Sequence, residues 1–164
     1  MLKFSCSLLL CVASVAPANS ASYKVPRDEP TASFAIPDKW QTKEFEERVE
    51  TTSPDGALFF LMMRAEAGKV AEAMGEAMRY LRNRGGITVK DDTRKDGLGK
   101  LNGMEIRNVS WRGRDRKGDI TIRFSIVFVT DKKRPLVAVY CCSSDAEKKY
   151  RGALNKMLQS IKKA

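Results

Sequence analysis

The run Leu58-Phe59-Phe60-Leu61-Met62-Met63 is apolar at every position, whereas a strand with one wet face alternates apolar and polar residues. A strand of this kind is covered on both sides, so the chain must place other elements against each face of its sheet. Just before it, Ser53-Pro54-Asp55-Gly56 combines a Pro that pre-sets a turn with a Gly that accepts positive φ. Residues 48–52 and 57–64 therefore read as the arms of an antiparallel hairpin.

The covers come from two amphipathic segments. Val70, Ala71, Met74, Ala77, Met78 and Leu81 recur at helical spacing and stop at Gly85-Gly86, where a glycine can take the left-handed cap. Met74 and Met78 in this stripe read as core packing rather than as soft metal ligands. Near the end, Ser144 followed three residues on by Glu147 forms a capping box, and Tyr150, Leu154, Met157, Leu158 and Ile161 make the apolar stripe behind it. Between the helices lie four strands, at 87–93, 104–111, 120–130 and 136–142, punctuated by Asn102-Gly103, Lys117-Gly118 and Pro135. In the third, Ile120, Ile122, Phe124, Ile126 and Phe128 share one face. Thr121, Arg123, Ser125, Val127 and Val129 share the other, polar at one end and apolar at the other, so a cover there is partial. Two helices around a block of strands suit a sheet with a helix on each side. A short strand at 34–37 is stopped by Pro37, and Trp40 follows in a loop that folds back onto the core.

Residues 1–21 read as a cleaved export signal. Lys3 gives the positive start, residues 8–15 the short apolar run and Ala16, Ala18, Ser20 and Ala21 the small-residue exit. The run is too short to span a bilayer. Cuts after Ala18, Ser20 or Ala21 all satisfy the small-residue rule. Residues 22–32, with Pro26, Pro30 and four charges, read as a flexible Pro-rich arm. Residues 33–164 then form a single domain. Export places the protein in the periplasm or outside the cell. The chain holds 30 Lys and Arg against 20 Asp and Glu, and the leader takes only Lys3, so a charge of +9 remains. Such a field favours anionic partners, and export turns it away from nucleic acid toward an envelope protein, a polymer or a lipid surface. There is no His, which removes the usual neutral-pH base, the commonest metal ligand and the Ser/His and Cys/His nucleophile pairs. Cys6 and Cys11 leave with the leader, so only the neighbours Cys141 and Cys142 remain.

The order of these features resembles the PsbP-like superfamily, which includes the extrinsic photosystem II protein, the Ran-binding Mog protein and DcrB-type bacterial envelope proteins. A Pro-closed strand precedes Trp40, and the Ser53-Pro54-Asp55-Gly56 hairpin and a helix follow. A meander through Asn102-Gly103-Met104-Glu105 and a terminal helix from Lys149-Tyr150 to Ser160-Ile161 complete the match. It covers about residues 33–162. The resemblance implies an α+β fold, an α/β/α sandwich on a mostly antiparallel sheet of about six strands with a helix on each face. It also implies a binding or assembly module rather than an enzyme, and carries over no catalytic residue, cofactor or metal.

Among single sites, Trp111, Arg112, Arg114, Arg116 and Lys117 stand near a hairpin tip. They read as an anion-binding finger, or as a solvated turn that discourages edge pairing. Cys141 and Cys142 read as small core hydrophobes on opposite faces of a strand, since a redox or metal role lacks a second pair or a His. Asp91, Asp92 and Asp96 lack the loop glycine pattern of a hard-cation site. Asn108-Val109-Ser110 fits a glycosylation acceptor but sits within a strand, and Gly97-Leu98-Gly99 lacks the context of a phosphate cradle. The expected function is an exported, non-enzymatic binding or assembly module of the envelope. The alternatives are an envelope enzyme using Asp, Glu or Lys as acid and base, and an electrostatic peripheral membrane binder.

Overall fold

The structure, a computed structural model, describes residues 19–128 and 135–164, with the backbone alone for residues 124–128. In chain order the elements are β1 (Ser20–Val25), β2 (Ala32–Pro37), β3 (Gln41–Glu44), β4 (Arg48–Thr52), β5 (Leu58–Arg64), α1 (Val70–Gly85), β6 (Thr88–Leu101), β7 (Met104–Asp115), β8 (Gly118–Phe128), β9 (Pro135–Cys142), α2 (Ser144–Gln159) and β10 (Lys162–Lys163). Seven strands form one sheet in the order β3-β4-β5-β9-β8-β7-β6, and β1-β2-β10 form a second, smaller sheet. Every pairing is antiparallel.

The two-sided strand lies near the middle of the large sheet. Leu58, Phe60 and Met62 of β5 enter one core, together with Phe34 and Ile36 of β2 and Leu154 and Met157 of α2. Leu61, flanked by the half-buried Phe59 and Met63, enters another, with Ala73, Ala77 and Leu81 of α1. β9, beside β5, divides in the same way: Leu136, Ala138 and Tyr140 go to the first core, Val137 and Val139 to the second. Strand alternation thus sorts one continuous apolar run into two cores on opposite faces. The turn before it behaves as its residues require. Gly56 takes φ 68°, its N–H donates to the Ser53 carbonyl at 2.8 Å, and the Asp55 carboxylate accepts from the Ala57 N–H. Trp40 does fold back, edge-on to Tyr150 of α2 at 5.5 Å between ring centres.

Four expectations are corrected. Residues 22–32 do not form an arm without a core: β1 pairs with β2 from Ser20↔Pro37 to Val25↔Ala32, and Val25 is fully buried. Its charged residues mark an edge strand and the turn beyond it, and the strand is ordered by the β2 arm that follows that turn. The sheets hold more than six strands, since β1, β3 and β10 carry too few apolar residues to show a pattern. The buried face of α1 is Ala73, Ala77 and Leu81, with Met74 and Met78 half-buried beside it and Ala71 exposed. Small alanines let the helix approach the sheet closely, and the longer methionines fill its flank. Finally, Ser143 caps α2, accepting from the Ala146 N–H at 3.2 Å, so the predicted box of Ser144 and Glu147 does not form. The leader reading falls on residues of which 1–18 lie outside the described part of the chain.

Candidate functional site

α2 packs over β5 and β2, and the strip of β8, β7 and β6 on the same face is only partly covered. A cleft of about 490 Å³ opens there, floored by the sheet and walled by α2. This is the partly covered face that the alternation of Thr121 and Arg123 announces. Three register pairs line up across its floor: Lys95 faces Ser110, Ser110 faces Arg123, and Arg123 faces Tyr140. All four residues line the cleft.

The one-residue shift of the α2 cap matters here. Released from a capping box, Glu147 turns to the sheet, where its Oε1 accepts from the Tyr140 hydroxyl at 3.1 Å and pairs with Arg123 Nη2 at 3.3 Å. The Arg123 guanidinium also lies 5.7 Å from the centre of the Tyr140 ring. Burial, opposed in part by Arg123, holds the Tyr140 hydroxyl protonated well above the ordinary phenol range. Arg151, four residues and one turn further along α2, lines the same wall, and Lys95 stands on the opposite bank. Neither makes an ion pair among the described residues, and Glu147 is already engaged. Asp96 also borders the cleft, but its carboxylate is taken by Arg94 at 2.7 Å and Arg107 at 2.8 Å. The hydrogen bond from Arg94, then that from Arg107, lowers it to about 2. Cations from three elements therefore face one space.

The predicted finger is divided by the pleat of its strand. Trp111 is not at the tip: it sits inside β7 opposite Ile122, buried in the α1 core, with the Arg94 guanidinium 5.5 Å over its ring. Arg112 and Arg114 are exposed on the other face of β7, and Arg114 pairs with Asp119 at 3.2 Å. Only Arg116 and Lys117 occupy the turn, which Asp115 closes by accepting from the N–H groups of Lys117 and Gly118. Alternation along the strand, applied to residues 111–114, would have separated Trp111 from its arginines.

Cys142 is buried and Cys141 half-buried, on opposite faces as expected, and burial pushes both thiols up to about 12. They are protonated, weakly nucleophilic packing groups. Among the described residues no three His, Cys, Asp or Glu side chains gather at metal-binding distance. Asn108-Val109-Ser110 lies mid-strand, with Val109 buried and its neighbours on the cleft floor. The buried acid among the described residues, Glu50, went unnoticed in the sequence. Its carboxylate accepts from Tyr80 at 2.7 Å, Arg84 at 3.0 Å and Arg48 at 2.9 Å, which ties β4 to α1.

No family model and no curated protein matches the chain. Solved structures do. The cyanobacterial PsbP (CyanoP) of Synechocystis superposes with a TM-score of 0.60 at 10% identity, over 98% of both chains. LpqN of Mycobacterium tuberculosis, described as involved in cell envelope biogenesis, gives 0.55 at 13% identity over 87% of this chain and 90% of its own. The Ran-binding protein Mog1p of Saccharomyces cerevisiae gives 0.51 at 8% identity over 88% and 95%. The likeness is one of fold: an α+β architecture on a large antiparallel sheet.

Proposed function

We propose that this chain, which has the PsbP-like fold, is an exported, non-enzymatic binding module of the cell envelope that captures an anionic group in the cleft beside α2. We read its layers as an α/β/α sandwich in which α2 covers only part of its face. The observation that carries the reading is the convergence of Lys95, Arg123 and Arg151 from β6, β8 and α2 on one concave space, whose two carboxylates, Asp96 and Glu147, are both already paired. A cleft of this size with a few convergent polar groups is the usual form of a ligand site. That LpqN is involved in envelope biogenesis agrees with this setting. Titration with inorganic phosphate tests it: Arg151→Ser should weaken binding about tenfold, and Arg112→Ser with Arg114→Ser should leave it unchanged. The reverse pattern would move the site to the hairpin.

Export has its own test. The Asp38 N–H donates to the Asn19 carbonyl, and the β1 pairing starts at Ser20. A cut after Ala18 leaves this strand whole, and cuts after Ser20 or Ala21 shorten it. The mass of the mature protein should begin at Asn19, and an unprocessed chain in the cytosol would contradict export.

A further inference from the structure

The cleft has two unlike ends. At one end the strands contribute Lys95, Ser110, Arg123 and Tyr140, and α2 contributes Glu147 and Arg151. At the other end the strands contribute Leu101 and Ile106, and α2 contributes Leu154, Asn155 and Leu158, with Asn108 between the two ends. The two walls run in register. The Tyr140 and Arg123 contacts hold Glu147 over the polar end, and Asn102 Nδ2, next to Leu101, donates to the Gln159 and Ile161 carbonyls at the far end of α2. Polarity therefore changes along one axis, from cationic to mainly apolar, with Asn155 the polar exception on the helix bank. From Arg151 to Leu158 is seven residues of helix, or roughly 10 Å. A purely anionic ligand uses half of this cleft, and a purely apolar one uses the other half.

We infer that the ligand is a single-chain amphiphile, a phosphate or carboxylate head carrying an alkyl tail of about eight carbons. This rests on the reading of the cleft as an anion site. The head meets Arg123, Arg151 and Lys95, whose charged donors suit an oxyanion. The tail lies along Leu101, Ile106 and Leu158, which are half-buried and lose contact with water when it binds.

Calorimetric titration of the purified protein with inorganic phosphate, butyl, hexyl and octyl phosphate, and octanol tests this. Each added methylene should tighten binding about two- to fourfold, the upper figure being full burial at ~0.8 kcal/mol. Arg151→Ser should weaken every phosphate about tenfold and keep the chain-length slope. Leu158→Gln should flatten the slope and leave inorganic phosphate unaffected. Octyl phosphate binding no tighter than inorganic phosphate would overturn the amphiphile and leave the anion site standing. Octanol binding as tightly as octyl phosphate would overturn the role of the head. Failure of every phosphate to bind would overturn both readings.

Discussion

Glu50 shows how one residue can decide whether two layers stay together. Its carboxylate is 3% exposed, yet each oxygen has a donor, and two of the three donors, Tyr80 and Arg84, come from α1. A buried acid without partners would cost several kcal/mol, and here the partners offset that cost. Arg84 also lies 4.8 Å over the Phe59 ring, so the network extends to the two-sided strand. Glu50→Ala should destabilise the fold by about 2 kcal/mol, chiefly by leaving the Tyr80 hydroxyl and the arginines without their acceptor. In denaturant unfolding, Tyr80→Phe added to it should cost little more. Additive losses would show that the two groups act separately.

At the scale of elements, the β6–β7 pair forms the far side of the cleft, and its geometry depends on Gly113. A Cβ at Gly113 would run into the Thr88 carbonyl oxygen and come within 3.1 Å of Ile122 Cδ1. Gly113→Ala should therefore cost about 1–3 kcal/mol, as overpacking does, and a melt unchanged from the parent would contradict this. The elements also divide by how they show in sequence. The Ser53–Gly56 turn, the all-apolar arm after it, both helices and the β7–β9 meander are local patterns, and the residues that carry them could be read directly. β1, β3 and β10 are short or polar edge strands whose structure comes from pairing, β1 and β3 with the strand that follows each and β10 with the remote β2, and no local period records that. The cleft was half legible. Alternation in β8 marks its face as mixed, but the partnership of Arg123 with Glu147 and Tyr140 depends on where α2 starts, and Ser143 and Ser144 are both good caps. Lys95 lies beyond a shift in the β6–β7 register, which moves it relative to a simple count along the strand.

For the whole molecule, the titrating groups set a pH profile with a wide plateau. Asp96 is lowered to about 2 by Arg94 and then Arg107, and Lys149 and then Ser53 hold Asp55 below the usual carboxylate range. Groups with depressed values contribute stability that is present above the ordinary carboxylate pKa and lost as the pH falls through the folded one. Both carboxylates are at the surface, so this loss is small and screened by salt. Cys141 and Cys142 are raised to about 12, so their contribution is complete below about pH 9 and is lost as the pH climbs toward 12. With no His in the chain, the side-chain type whose ordinary pKa lies between about 5 and 8 is missing. Thermal melts should give a level midpoint from about pH 5 to 8, falling on both sides, and a step near pH 6.5 would contradict it.

The same molecule carries an exposed basic turn and a concave cationic cleft, and a net charge of +10 alone cannot choose between them. Amide chemical-shift mapping with octyl phosphate chooses directly. The largest shifts should fall on Ser110, Arg123, Glu147, Arg151 and Leu158, running from the polar end of the cleft to the apolar one. Shifts confined to Arg112, Arg114, Arg116 and Lys117 would place anion binding on the hairpin and contradict the cleft as the site.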